Sequence, residues 1–164
     1  MLKENSFSIF LPSEKHSNLL AKIFAKIIVP NDIILLEGGL GVGKTTLARA
    51  LIRSLFDDKN LEVPSPSFAL VQPYEKHNIK IIHADLYRLN NEAEIEELGL
   101  LDETRAIIIV EWGQNAPQIE KFANFKIEIE MNKKSTGRIV KIICYNEFER
   151  FTKLKLALEQ IGIK

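Results

Sequence analysis

Ile33-Ile34-Leu35-Leu36-Glu37-Gly38-Gly39-Leu40-Gly41-Val42-Gly43-Lys44-Thr45-Thr46 is the stretch whose reading decides the fold. The apolar run at its start has the character of a strand buried on both faces. The window from Gly38 to Thr45 then satisfies G-x-x-x-x-G-K-[ST] at every fixed position. Its glycines let backbone N–H groups turn inward around phosphate oxygens with no side chain in the way. A helix over 44–56 follows, and its first amides and positive dipole end favour an anion. Lys44 can reach β- and γ-phosphates as a point charge, and Thr45 can offer its hydroxyl to Mg²⁺. Strand, glycine loop and helix in this order point to nucleotide binding.

The segments on either side continue the alternation. Phe7, Ile9 and Leu11 alternate with polar residues, as in a half-buried strand. Pro12 and Ser13 end it, and Ser13 is set to cap a helix whose apolar face carries Leu19, Leu20, Ile23, Phe24, Ile27 and Ile28. After the nucleotide helix, Pro64-Ser65-Pro66-Ser67 makes a stiff loop. Strands are expected over 68–74, where Pro73 marks an edge, and over 79–83, ending at Asp85. A short acidic helix spans 91–98, and a buried strand over 106–110 ends at Glu111. Residues 125–131 and 140–144 alternate around a polar turn, which makes a hairpin. Asn146 followed by Glu149 resembles a capping box for a last helix with Phe151, Leu154, Leu158 and Ile161 inward. Strands alternating with helices imply an α/β domain with a largely parallel sheet.

The totals bound the function. The 164 residues suit one domain, 1–164, and 46% hydrophobic content supplies a core. Lys+Arg and Asp+Glu are both 22, so there is no cationic surplus of the kind a general nucleic-acid binder needs. The lone Cys144 rules out a disulfide framework and a cysteine-rich zinc site. No apolar run approaches the roughly 18 residues of a membrane span. Lys3, Glu4 and Asn5 stand where a signal peptide would be apolar, so a cytoplasmic location is expected.

Metal-assisted phosphoryl transfer needs a carboxylate at the end of a strand near the phosphate loop. Asp85 and Glu111 both qualify. The strand before Glu111 is purely apolar, which suits a central position, so Glu111 is the metal-shell candidate, through water. Asp85 is then free to position the attacking water, and the two roles could be exchanged. Each acid could instead only cap the turn that follows it. His83 reads as a structural or hydrogen-bonding residue of its strand. Arg88 could hold a carboxylate, a phosphate or a surface partner, and Trp112 could pack beside a nucleotide or fill the core.

Asn132-Lys133-Lys134-Ser135 lacks the acid with which GTPases read guanine, which favours ATP. The arginines (Arg49, Arg53, Arg88, Arg105, Arg138 and Arg150) are scattered and form no lid, which disfavours a small-molecule kinase. A nucleotide-gated adaptor whose hydrolysis is incidental is the other alternative. Lys133, Lys134, Arg138 and Lys141 form a modest basic strip that reads as a solvated face.

The phosphate loop, Ser65-Pro66-Ser67-Phe68, His83-Ala84-Asp85-Leu86-Tyr87-Arg88-Leu89 and Val110-Glu111-Trp112 together resemble the TsaE (YjeE) family, over about residues 6–144. That family contains the bacterial ATPases of tRNA threonylcarbamoyladenosine biosynthesis, a modification made next to the anticodon. The resemblance implies a P-loop NTPase three-layer sandwich, with a mostly parallel central sheet and flanking antiparallel strands. It implies ATP and Mg²⁺ as cofactors, with Thr45 and Glu111 on the metal. Lys44, Asp85 and Glu111 would be catalytic. Gly38 through Thr46 would hold the nucleotide, joined by Trp112, Glu14 and Arg138. The residues from 65 to 68 would act as a switch segment, and Ser13, Glu14, Ser17 and Gly137-Arg138 would form the adenine pocket. It also implies weak hydrolysis by the chain alone. The partners would be the threonylcarbamoyl-transferase subunit (TsaD) and that subunit's dimer partner (TsaB), with tRNA contact indirect or weak. The chain departs from the usual pattern at Ser67, where the family has Thr, at Ala84, where it has an aromatic, and at Gly113-Gln114, where it often has Pro-Glu. None of these removes a residue from the proposed reaction.

Overall fold

The alternating apolar runs hydrogen-bond into one seven-stranded sheet with helices on both faces. A computed structural model describes residues 3–164. Residues 1 and 2, the first positions of the expected single domain and of the N-terminal segment read against a signal peptide, lie outside the described residues.

The strands are β1 (Glu4–Leu11), β2 (Ile33–Glu37), β3 (Val71–Lys76), β4 (Ile79–Asp85), β5 (Ala106–Glu111), β6 (Phe125–Met131) and β7 (Arg138–Tyr145). Their order across the sheet is β1-β7-β6-β2-β5-β4-β3. The inner four, β6, β2, β5 and β4, run parallel, while β7 and β1 flank them antiparallel on one side and β3 on the other. The helices are α1 (Glu14–Ala25), α2 (Lys44–Phe56), α3 (Glu92–Glu97), α4 (Pro117–Glu120) and α5 (Phe148–Gln160).

Side chains alternate across each strand, so the inner strands need a core on both faces. Ile34, Leu36, Ile107 and Ile109 face one core, which Leu20, Leu47, Leu51 and Leu154 of α1, α2 and α5 complete. Ile33, Leu35, Ile108 and Val110 face the other, closed by Ile95, Leu100 and Ile119. The result is the three-layer P-loop architecture expected from the sequence. No helix among the described residues is long and apolar enough to cross a membrane.

At the N-terminal end of the inner strands a clasp joins distant segments. Arg150 on α5 donates to both oxygens of Asp32, at 2.6 and 3.0 Å, and to the Ile27 carbonyl at 3.0 Å. Asp32 Oδ2 also accepts from the Val29 amide. Bidentate, charge-assisted bonds of this kind satisfy a buried acid fully.

Several local expectations need correction. The strand expected from residue 68 begins at Val71. Leu70 takes a left-handed backbone (φ 67°) and its amide donates to the Pro66 carbonyl, so a turn replaces the start of the strand. The first helix ends at Ala25, although Ile28 remains buried. Ser13 is its N-cap residue, but the Ser13 hydroxyl bonds His16 Nδ1 and no backbone amide. The capping box at Asn146 does not form. Asn146 is left-handed (φ 59°) and accepts from the Lys3 amide, and Glu147 stands at the cap. Ile161 lies past the end of α5 and is exposed, and Ile163 is buried instead.

Candidate functional site

The C-terminal ends of β2, β4 and β5 meet at the glycine loop. In parallel α/β sheets this is the end where ligands bind. Register sets Asp85 beside Glu111, and Glu111 beside Leu36 at the mouth of the loop. Gly38 (φ 144°) lies so close to β6 that a Cβ there would sit 2.4 Å from the Ile129 carbonyl oxygen. Gly43 (φ 114°) caps α2 in a left-handed conformation. Glycine is the residue that allows both turns.

Lys44 opens α2 and is only 5% exposed. Its ammonium donates to the carbonyls of Gly38 (2.9 Å) and Gly39 (2.5 Å) and lies 4.0 Å from the centre of the Trp112 ring. Burial lowers its pKa from the ordinary lysine range, and the charges of Glu111 and Asp85 oppose that shift. Trp112 has positive φ (60°), a conformation uncommon for a bulky residue and one that clusters at functional sites. Its ring also contacts Tyr87, with centroids 4.7 Å apart. Next to it, Gln114 donates to the Gly38 carbonyl at 3.2 Å.

Both acids are buried and hydrogen-bonded. Glu111, 2% exposed, accepts from the Thr45 hydroxyl on Oε2 at 2.8 Å, and Oε1 lies 2.8 Å from Nε2 of His83. Asp85 Oδ1 accepts from the Tyr87 amide at 2.9 Å, which is the turn-capping role also open to it, and Oδ2 accepts from the Ser65 hydroxyl at 3.1 Å. Glu111 is thus joined to the helix of the phosphate loop, and Asp85 to the stiff Pro-Ser loop. Sequence reasoning left the two roles exchangeable, and the two acids have separate attachments.

A group of three or more His, Cys, Asp or Glu side chains able to cage a metal is absent among the described residues. Mg²⁺ is usually held by one or two protein oxygens together with phosphates and waters. Thr45 gives its hydrogen to Glu111, which leaves its lone pairs for a hard cation. Both Glu111 oxygens are engaged, one by Thr45 and one by His83.

Two cavities flank the loop. One, about 500 Å³, contains Lys44, Thr45, Ser65, Asp85, Glu111 and Trp112 among its walls. The other, about 200 Å³, lies between the start of α1 and β7 and includes Ser13, Glu14, Ser17, Gly137 and Arg138. Gly43 and Thr46 line both. The residues named for an adenine pocket therefore converge, and Arg138 Nε donates to the Val42 carbonyl of the loop itself. That bond draws Arg138 out of the basic strip. Arg88 lies on the Phe68 ring, 4.1 Å from its centre, and not on Asp85. Sequence reasoning missed the bonds His83–Glu111 and Ser65–Asp85. The only sequence signal for the first was the two-residue spacing of His83 and Asp85, which places both on one face of β4.

Comparison with known proteins shows the family and the fold. A model of the family described as "Threonylcarbamoyl adenosine biosynthesis protein TsaE" matches residues 11–140. A Rickettsia typhi protein named tRNA threonylcarbamoyladenosine biosynthesis protein TsaE is 43% identical over 63% of this chain and 72% of its own. An Aquifex aeolicus protein of the same name is 35% identical over 80% of this chain and 89% of its own. The crystal structure of Bacillus subtilus YdiB matches the fold with a TM-score of 0.66, covering 98% of this chain and 97% of that one at 21% identity.

Proposed function

The chain belongs to the TsaE family of tRNA threonylcarbamoyladenosine biosynthesis, and we propose that it is a P-loop ATPase, acting as one domain, whose hydrolysis of ATP supports the modifying complex. The observation that carries this reading is the bond from Thr45 on the phosphate loop to Glu111 at the end of β5, in one cleft with Lys44 and Asp85.

The loop amides and Lys44 hold the β- and γ-phosphates. The phosphates take over the ammonium that now rests on the Gly38 and Gly39 carbonyls. Thr45, and Glu111 through water, would hold Mg²⁺, which would neutralise charge on the phosphates. Asp85 orients the attacking water, and its link to Ser65 couples that position to the Pro-Ser loop. The base sits in the smaller cavity between Glu14 and Arg138, and Trp112 borders the phosphates. Such sites work by positioning and electrostatics, so each group should matter strongly to rate.

The threonylcarbamoyl-transferase subunit (TsaD) and its dimer partner (TsaB) supply substrate recognition and stimulate turnover, and tRNA contact is left to them. A kinase reading is disfavoured because Arg49, Arg53 and Arg150 are engaged by the Val63, Leu61 and Ile27 carbonyls and Arg138 by Val42. The test is phosphate release from ATP·Mg²⁺ by the chain alone and beside both partners. Slow release alone and faster release with them is expected, and Lys44→Ala should lower both by about 100- to 1,000-fold. Equal rates would refute partner stimulation. Transfer to a metabolite with negligible release, even beside the partners, would refute hydrolysis as the function.

A further inference from the structure

Strand β4 brings two polar side chains to the helix α2 face of the sheet, Asp85 and His83. His83 has no solvent exposure, and its flanking positions are Gln72 on β3 and Ile109 on β5. Nε2 lies 2.8 Å from Glu111 Oε1, while Nδ1 has no hydrogen-bond partner among the described residues. Buried polar atoms in folded proteins are nearly always paired, so an orphan calls for an explanation. A residue needed only to fill this space would be apolar. The one hydrogen bond of the imidazole among the described residues is to Glu111. Glu111 accepts in that bond, so a hydrogen sits on Nε2.

The bonds form a chain. His83 Nε2 donates to Oε1 of Glu111, and Thr45 Oγ1 donates to Oε2. The last torsion of a glutamate is soft, so a carboxylate held at one oxygen could turn about it. Held at both, its plane is fixed. Fixing the plane also fixes where the Thr45 hydroxyl points its hydrogen, and therefore where its lone pairs face.

We propose that His83 is a positioning residue for the Thr45–Glu111 pair, setting Mg²⁺ affinity through Glu111 without touching nucleotide or metal. The proposal rests on the reading of Thr45 and Glu111 as the metal-holding pair. Outer partners that orient metal-binding groups are typically worth about 10- to 100-fold in metal affinity.

The test uses the full chain and isothermal titration calorimetry with a non-hydrolysable ATP analogue, in EDTA and over a series of Mg²⁺ concentrations. His83→Ala should raise the Mg²⁺ needed for half-maximal tightening by about tenfold or more. Its affinity for the analogue in EDTA should stay close to that of the wild type. His83→Gln, whose amide N–H can reach the same carboxylate, should recover most of the loss. A His83→Ala protein with wild-type Mg²⁺ dependence overturns the proposal, and so does His83→Gln behaving no better than alanine. If His83→Ala does not fold, imidazole NMR of the wild type decides. A slowly exchanging Nε2–H supports the proposal, and an Nδ1–H tautomer overturns it. A wild type that binds the analogue with no response to Mg²⁺ overturns the Thr45–Glu111 reading and this proposal with it. A responsive wild type with an unaltered His83→Ala overturns this proposal alone.

Discussion

Asp32 and Glu111 are equally buried, each 2% exposed, at opposite ends of neighbouring strands. Asp32 precedes β2 and meets a full counter-charge, the Arg150 guanidinium, in a bidentate pair. Glu111 ends β5 and meets only a hydroxyl and an imidazole. One end of the sheet is clasped shut by paired charge. At the other, Lys44 stands near Glu111 and Asp85 but spends its hydrogen bonds on loop carbonyls, so both kinds of charge remain available to a ligand. Equal burial therefore does not mean equal purpose, and the partner of each acid separates the end that holds the fold from the end proposed to hold the nucleotide.

That contrast can be broken most directly at the clasp. Arg150→Ala leaves Asp32 buried without its counter-charge and should destabilise the protein by about 3–5 kcal/mol in urea unfolding. Nucleotide affinity of the folded fraction should not change, and a parallel loss of binding would mean that the two ends are not separable. Next, Lys44→Ala should lower phosphate release by about 100- to 1,000-fold. Its melting temperature should stay within a few degrees of the wild type, and a collapse of the fold would make Lys44 a second clasp. Asp85→Asn keeps an acceptor for the Tyr87 amide and turns an N–H toward Ser65, whose hydroxyl oxygen can accept it, but loses the charge. Turnover should drop by about 100-fold with little change in nucleotide affinity, and full turnover would return Asp85 to a turn-capping role.

The smallest effect concerns pH. The hydrogen bond from Arg150 holds the Glu147 carboxyl below its usual 4.5. For a depressed acid, the stability it contributes is present above the unfolded value and is lost as pH falls through the lower, folded one. Glu147 is partly exposed, so solvent screening keeps the effect below about 1 kcal/mol. Glu147→Gln should therefore be slightly less stable than the wild type at neutrality and should converge with it as pH falls below 4.5, and an equal deficit at both would show that charge is not the cause.

The elements that were legible in the sequence are those whose signal is local. The helix from Lys44 to Phe56 and the strands ending at Asp85 and Glu111 are where the periodicity and the glycine loop put them. The failures also have a local cause. Phe68 and Leu70 carry strand-like residues, but the left-handed Leu70 and its bond to Pro66 outweigh propensity. Asn146 has the spacing of a cap, yet its side chain is taken by the Lys3 amide, 143 residues away in sequence. Glu14 and Arg138 are legible only through family resemblance, since nothing along the chain relates two residues so far apart.

The sequence by itself determined the phosphate loop, the strand-end acids and the family, because each depends on residue types at fixed spacing along one chain. The tertiary structure alone decided which acid joins Thr45 and which joins Ser65. It also decided that His83 serves Glu111, although Asp85 is its neighbour in sequence. The physical reason is register. A strand fixes which way its own side chains alternate, but only hydrogen-bonded pairing with β5 brings His83 to a carboxylate 28 residues further along.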